Sequence, residues 1–460
     1  MAPNYKKRYF AGDFMYKYLI YSQLKAYAKA DKSFHMPGHK ARGDFKSKFP
    51  IAPMDITELC YSDNLMCPTG VISGAQKDLA EILGAKKSFI LTDGSSSGVL
   101  AMMYAVSKSG NKIIVPRNCH ISVWNACKLF GLEPVIVQGT HENGVLMPPS
   151  PALIEELVSN DRTISGMIVT SPDYFGNVAP LKKYAAVLKK YSRYLLVDGA
   201  HGAHLVYDEE KKLHASLYAD LWVDGAHKSL PALTQGAVVS GNNETLLPLL
   251  EEGLTYFRTT SPSYPIMASV EYAFKYIANN PKLVQDAKTA VAAFREKCPL
   301  KLYPSDDWTK VAIDFEDLGV SSYTVGNILE KKGIYPELAD GKYLIFYLSP
   351  MTVAADLGTL LAILSAIAND KRMKKNFTAR PPMPITARTY SYQYALKQKK
   401  ELLPLTQSVG RMCAQNAGVT PPCVPIIAAG EMITEGAVRY LLYNSGTFGL
   451  EGDKIWVVKK

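Results

Sequence analysis

Cysteine is scarce and shows no pairing pattern: seven in a chain of 460 residues, an odd number, with no CxxC spacing. Neither a disulfide framework nor a zinc site is expected from that usage, so no metal is expected, and a reducing, cytoplasmic setting fits. Long apolar runs are missing too. The longest, such as Val353 to Ile367, are too short or carry acids, so no bilayer-spanning segment is expected. Residues 1–10 are polar and basic with no apolar run behind them, and no signal peptide is expected. Repeats of solenoid period are absent.

Basic residues outnumber acidic ones by 52 to 42, a net charge of +10. The clusters at Lys6-Lys7-Arg8, Lys371 to Lys375 and Lys397 to Lys400 lack the interleaved aromatics that base stacking requires. They read as solvated faces. Neither a nucleic acid nor a membrane is expected as a partner.

What is present is an ordinary globular composition, 47% hydrophobic and 20% charged. A chain of this length exceeds one compact core, so two or three domains are expected. From about Gln76, short aliphatic runs alternate with helix-period segments. Ser88 to Leu91, Lys112 to Val115, Pro134 to Val137, Gly166 to Thr170 and Tyr194 to Val197 read as buried strands. Between them, Ser95 to Ser107, Ile121 to Leu129, Pro151 to Ser159 and Leu181 to Lys190 read as helices. Strand–helix alternation with wholly apolar strands is the pattern of an α/β fold, a parallel sheet covered on both faces. Ligands of such sheets bind at the carboxyl ends of the strands. After Ser261-Pro262-Ser263-Tyr264-Pro265 comes one long helix-like stretch, Ile266 to Lys297, then a mixed region. A basic, Pro-rich linker, Lys371 to Pro384, leads to a final unit.

Four elements carry chemistry. Lys228, in Asp224-Gly225-Ala226-His227-Lys228-Ser229, follows the apolar strand Leu221 to Val223 and is read in the loop past its end. A lysine there forms an imine with an aldehyde cofactor when its surroundings deprotonate it. Asp198, in Val197-Asp198-Gly199-Ala200-His201, ends another strand. A carboxylate there keeps a pyridine nitrogen protonated and the ring an electron sink. Asp224 shares the Asp-Gly-Ala-His string but stands only four residues before the lysine, so the role goes to Asp198. Gly94-Ser95-Ser96 lies in Thr92-Asp93-Gly94-Ser95-Ser96-Ser97-Gly98, a strand-to-helix junction suited to a phosphate. It is neither a Walker loop nor a dinucleotide GxGxxG. His120, past the strand Lys112 to Val115, is placed to stack on a ring and move protons. Each has a plain structural reading alone: surface lysine, turn-capping aspartate, helix cap, core histidine. All four in order, each past a strand, are improbable by chance.

These strings resemble the Orn/Lys/Arg decarboxylases in their short bacterial form, within the fold-type I pyridoxal-phosphate enzymes. The resemblance rests on His35-Met36-Pro37-Gly38-His39-Lys40, Asp63-Asn64-Leu65, Arg117-Asn118-Cys119-His120, Asp198 to His204 and His227 to Ala237. Ser261 to Tyr264 and the block from Pro425 to Ile433 extend it over nearly the whole chain. It implies an aspartate-aminotransferase-like large domain with a mostly parallel seven-stranded sheet, plus smaller α+β C-terminal domains. The expected division is an arm over 1–30, a cofactor-binding domain over 31–285, a small domain over 286–375 and a C-terminal domain over 376–460.

By resemblance, Lys228 carries pyridoxal 5'-phosphate as a Schiff base, Asp198 pairs with its ring nitrogen, and His120 stacks. His201, His227 and Ala200 flank the cofactor, and Gly94, Ser95 and Ser96 hold its phosphate. The family works as homodimers or larger homo-oligomers with composite sites, so Ser261 and Ser263 are candidates to reach a neighbour's cofactor. The implied reaction is decarboxylation of a basic amino acid to an amine or polyamine precursor, arginine first, then lysine, then ornithine. Glu337, Asp340 and His35 are the substrate candidates. The residues alone leave open another pyridoxal-phosphate reaction, such as transamination or elimination, or a non-catalytic regulatory relative. Four residues depart from what the resemblance leads one to expect: Gly199 stands for an acidic residue, Gly225-Ala226 for Ser-Thr, and Ala429 for a proline. A hydroxyl lost at 225–226 is expected to remove a phosphate contact worth about 1.5–3 kcal/mol.

Overall fold

In the computed structural model, the residues described are 15–29, 32–208, 211–371, 373, 375–385, 390–444 and 446–460. The Lys6-Lys7-Arg8 cluster and half of the expected arm lie outside them. Nine strands come first: β1 (Lys87–Leu91), β2 (Lys112–Pro116), β3 (Glu133–Val137), the hairpin β4 (His141–Glu142) and β5 (Val145–Leu146), β6 (Ile164–Thr170), β7 (Tyr194–Gly199), β8 (Leu221–Asp224) and β9 (Ala237–Gly241). Seven of them form one sheet in the order β1-β9-β8-β7-β6-β2-β3. β8, β7, β6, β2 and β3 run parallel, and only β9 opposes its neighbours.

The strands are apolar on both sides because both faces are covered. Ile114, Met167, Leu195, Val197 and Trp222 belong to the core on one face, and Ile113, Val115, Ile168, Leu196 and Val223 to the core on the other. Burying each such side chain contributes about 1.5–3 kcal/mol. Register sets Asp198 beside Val223 and Gly199 beside Asp224, which levels the carboxyl ends of β7 and β8. The segments leading to Lys228 and from Asp198 therefore open onto the same edge of the sheet.

The helix-like stretch from Ile266 to Lys297 is two helices, Tyr264–Asn279 and Lys282–Lys297. Pro281 divides them, since its ring fixes φ and it has no amide to continue the ladder. The first helix anchors the N-terminal helix Leu19–Tyr27. Its buried Glu271 carboxylate accepts the amides of Ile20 at 2.8 Å and Tyr21 at 3.2 Å. Lys275 donates to the Lys17 carbonyl at 2.6 Å.

A second, antiparallel sheet holds β10 (Lys301–Leu302), β11 (Lys310–Asp314), β12 (Leu338–Ala339) and β13 (Tyr343–Tyr347), ordered β10-β11-β13-β12. Its own core joins Val311, Ile313 and Leu344 to Val291, Phe294 and Leu364 of the covering helices. Beyond residue 390, two three-stranded sheets pack with the helix Glu435–Tyr443 around Ile426, Ile433 and Ile455. Among the described residues, no helix is long and apolar enough to cross a membrane.

Candidate active site

A cavity of about 440 Å³ opens at the carboxyl ends of the parallel strands, within the range of small-molecule sites. Gly94, Ser95, Ser96, His120, Asp198, Ala200, His201, His227, Lys228 and Asp340 all line it. Four other residues expected at the site do not: Glu337, His35, Ser261 and Ser263.

Lys228 is not in an open loop. It sits in a single helical turn, Ala226–Ser229, just beyond β8. Its Nζ lies 3.1 Å from Nε2 of His201, so a proton can pass directly between the two. Burial lowers the basicity of the Lys228 amine, while the carboxylates of Asp198 and Glu337 pull it up and the Lys310 ammonium lowers it again. The net effect favours the neutral nucleophile that imine formation requires. His201 is buried, with Nδ1 lacking a hydrogen-bond partner among the described residues. Burial first, then the charges of Lys228 and Lys310, hold its imidazole neutral far below its usual range. The rings of Tyr174 and Tyr347 enclose it at centroid distances of 4.7 Å and 5.4 Å.

Asp198 is 3% exposed and accepts the Ala200 amide at 3.2 Å. Its look-alike, Asp224, is fully taken up by the core: Nε2 of His214 lies 3.2 Å from one oxygen and Nε1 of Trp222 donates to the other at 2.9 Å. His120 is the N-cap of the helix Ile121–Phe130, and its Nδ1 accepts the Ser122 amide at 3.2 Å. That contact orients the ring and leaves the proton of the neutral form on Nε2. Burial lowers the affinity of His120 for a second proton, with Asp198 acting against this. His227 is fixed by the opposite tautomer, Nδ1 lying 3.0 Å from the Gly236 carbonyl.

At the far wall, Asp340 is already engaged. Arg380 ion-pairs with it, and it accepts the amides of Lys342 at 3.0 Å and Tyr343 at 2.7 Å. Glu337 lies just before β12, exposed, near enough for its charge to act on Lys228, Tyr174 and Tyr347. His35 occupies a separate groove with His39, Lys40 and Asp55, hydrogen-bonded to the Tyr27 hydroxyl. Ser263 caps the helix Tyr264–Asn279, and Ser261 is exposed beside Thr259.

Several residues at the site were not foreseen. Tyr174 stands past β6, so the strand-end rule that found His120 and Asp198 applies to it equally. Tyr347, Lys310 and Arg380 come from outside the large sheet and carry no such signal.

The profile of the Orn/Lys/Arg decarboxylase major domain matches residues 19–304, and that of the C-terminal domain matches 370–448. The chain belongs to the Orn/Lys/Arg decarboxylase family. Among its relatives, an uncharacterized protein of Bacillus subtilis, YaaO, is 32% identical over 461 residues, covering 92% of this chain and 93% of that one. An arginine decarboxylase of the same organism is 28% identical over 458 residues, again 92% and 93%. In fold, the chain is similar to the lysine decarboxylase of Francisella novicida, with a TM-score of 0.82 at 19% identity over 97% of this chain and 82% of that one.

Members of this family are pyridoxal-phosphate-dependent amino-acid decarboxylases, and the residues present fit that cofactor. Ser95 offers a buried hydroxyl with no hydrogen-bond partner among the described residues, at the start of the helix Gly94–Ser107, where a phosphate is favoured by amides and dipole. Packing is tight at the positions expected to depart from the family. A Cβ on Gly225 would stand 2.4 Å from the Ala200 carbonyl oxygen and 3.1 Å from Ser95 Oγ, so a larger side chain has no room there. A Cβ on Gly199 would lie 2.9 Å from the Val223 carbonyl oxygen. The Ala429 amide donates to Asn416 at 3.2 Å, a bond proline cannot make.

Proposed function

We propose that this chain decarboxylates a basic amino acid, arginine before lysine and ornithine, with pyridoxal phosphate carried as a Schiff base on Lys228. The observation that carries the reading is the pairing of Lys228 with His201 at 3.1 Å in the cavity that Asp198 also lines. Bound there, the cofactor supplies an electron sink for the pair left when carbon dioxide departs.

The chain's own residues do the rest. Asp198 holds the proton on the ring nitrogen, His120 covers the ring, and Ser95, Ser96 and the amides from Gly94 hold the phosphate. Lys228, relayed by His201, returns a proton to the substrate Cα. Glu337 is the carboxylate assigned to the substrate's distal cation, because Asp340 is neutralised by Arg380. A carboxylate facing a guanidinium makes a two-pronged bond that an ammonium does not, and a relative of similar length is named an arginine decarboxylase. The working form is read as a cytoplasmic homodimer, with Ser261 and Ser263 facing the second subunit's site.

The test is an absorption spectrum of the purified protein with pyridoxal phosphate, then assays of amine and carbon dioxide with arginine, lysine and ornithine. A visible band that is lost in Lys228→Ala, with amine formed from arginine, is expected. A band without any amine product would keep the cofactor and overturn the decarboxylation. No band at all would overturn both.

A further inference from the structure

Behind the wall of the active site lies a charged cluster sealed from solvent. Asp307, Thr309 and Lys310 are 0%, 0% and 1% exposed, and His204 is fully buried with them. Asp307 lies 2.8 Å from Nε2 of His204, accepts the Thr309 hydroxyl at 2.8 Å and accepts Lys310 Nζ at 3.2 Å. Lys310 also donates to Thr309 at 2.8 Å. Burial would raise the Asp307 carboxyl, but His204 and Lys310 outweigh it and keep the group ionised.

The cluster reaches the cavity through one ring. Lys310 and Tyr347 are opposite one another in the antiparallel pair β11–β13. The Lys310 ammonium sits over the Tyr347 ring, 4.5 Å from its centroid, and that ring meets His201 edge-on at 5.4 Å. The Tyr174 segment closes the arrangement from the large domain. Gly176, at φ +83°, packs so closely that a Cβ there would touch the Lys310 side chain at 3.0 Å. The Tyr347 hydroxyl donates to the Tyr174 carbonyl at 3.2 Å.

A buried ammonium is costly unless paired and hydrogen-bonded. An apolar residue would fill this position without that cost. We propose that Lys310 is a positioning residue for His201: a fixed cation, held by Asp307 and Thr309 behind the Tyr347 ring, that keeps the imidazole unprotonated and open to Lys228. This rests on the assignment of Lys228 and His201 to proton return. A protonated His201 would repel the Lys228 ammonium and offer it no lone pair, so a relay between them needs the neutral ring.

The titratable groups facing His201 are Lys228 from the turn after β8, Lys310 from β11 and Asp307 before it, His120 ahead of its helix, and the Tyr174 and Tyr347 hydroxyls. Burial and three of these, Lys228, Lys310 and His120, disfavour a proton on His201, and Asp307 favours one. Removing Lys310 therefore raises the proton affinity of His201.

The experiment is a pH titration of the ring nitrogens by NMR in the full-length, cofactor-loaded protein, with His201 assigned by comparison with His201→Gln. In the unaltered protein His201 is expected to stay neutral through and well below the ordinary value of about 6.5, whereas titration near that value would overturn the proposal. Lys310→Met is expected to bind the proton at least about tenfold more tightly, a shift of one pH unit, and Lys310→Arg to restore the original curve. A folded Lys310→Met with an unchanged curve would overturn the proposal. Should that variant not fold, Asp307→Asn with Lys310→Met removes both charges together; a smaller rise is expected, and no rise overturns the idea. The readout is independent of turnover, so an inactive protein with the expected titration would sink the functional reading and leave this one standing.

Discussion

The Arg117 guanidinium and the Glu431 carboxylate form a two-pronged ion pair that is 2% and 1% exposed, with Nη1 donating to Oε2 at 2.8 Å. It joins the end of β2, three residues before His120, to the C-terminal unit. Beside it, the Ile121 amide donates to the Cys423 carbonyl at 2.8 Å, so the same junction sets the entry of the helix that His120 caps. Glu431 also accepts the Ala428 amide at 2.7 Å.

Removing one partner leaves a buried charge without its counter-ion. Glu431→Ala is expected to destabilise the protein by about 3–5 kcal/mol and to weaken cofactor binding through His120. Arg117→Met with Glu431→Leu is expected to recover most of the stability. Denaturant melts of the three proteins check this. Equal losses in the single and double variants would mean that packing, rather than charge, holds the junction.

The two acidic candidates, Asp340 at the far wall and Glu337 beside it in sequence, separate by kinetics. Glu337→Gln is expected to raise KM for arginine roughly 10- to 100-fold, the loss of one charge-assisted bond, with little effect on melting. Asp340→Asn is expected to act chiefly on stability, because it strips the partner from Arg380 between the small domain and the Gly144 carbonyl. Steady-state kinetics and thermal melts on both variants decide it. A KM effect confined to Asp340→Asn would reverse the assignment.

Gly225 tests whether this position has room for a hydroxyl-bearing side chain. With the Ala200 carbonyl oxygen 2.4 Å from the Cβ that serine would bring, Gly225→Ser is expected to cost about 1–3 kcal/mol of stability. It is also expected to loosen pyridoxal phosphate, since Ser95 is the next atom in its way. Tighter cofactor binding in a titration of Gly225→Ser would instead show that the site accepts the extra hydroxyl.

The large sheet and the centre of the site were legible because one rule covers both. Apolar strands alternating with helices imply a parallel sheet, and Lys228, Asp198, His120 and Ser95 each stand at or just past the carboxyl end of such a strand. Tyr174 obeys the same rule and was overlooked, as aromatic residues past strands are common. Pro281 carried its own signal against one continuous helix. Lys310, Tyr347 and Arg380 were not legible in the same way. Lys310 meets Tyr347 only through the register of β11 on β13, and Arg380 meets Asp340 only once three parts of the chain are packed. Periodicity reports which face of an element is buried, not which element faces it.

A pH effect on stability is expected at Asp161, at the end of the helix Pro151–Asn160. Lys112 donates to its carboxylate at 2.8 Å, and the Thr163 hydroxyl and amide donate as well. The Lys112 bond foremost, then Thr163, lower the pKa to about 2, against about 3.9 in the unfolded chain. A depressed carboxyl stabilises the fold above the unfolded value and ceases to do so as pH falls through the folded one. The contribution should therefore be complete above pH ~5 and disappear between about 4 and 2. Both partners are about a third exposed, 35% and 33%, so water screens the pair and its worth is about 1 kcal/mol or less. The stability gap between the parent and Asp161→Asn, followed by urea melts from pH 7 to pH 3, is expected to narrow across that window. A gap independent of pH would mean that ionisation of Asp161 contributes nothing to stability.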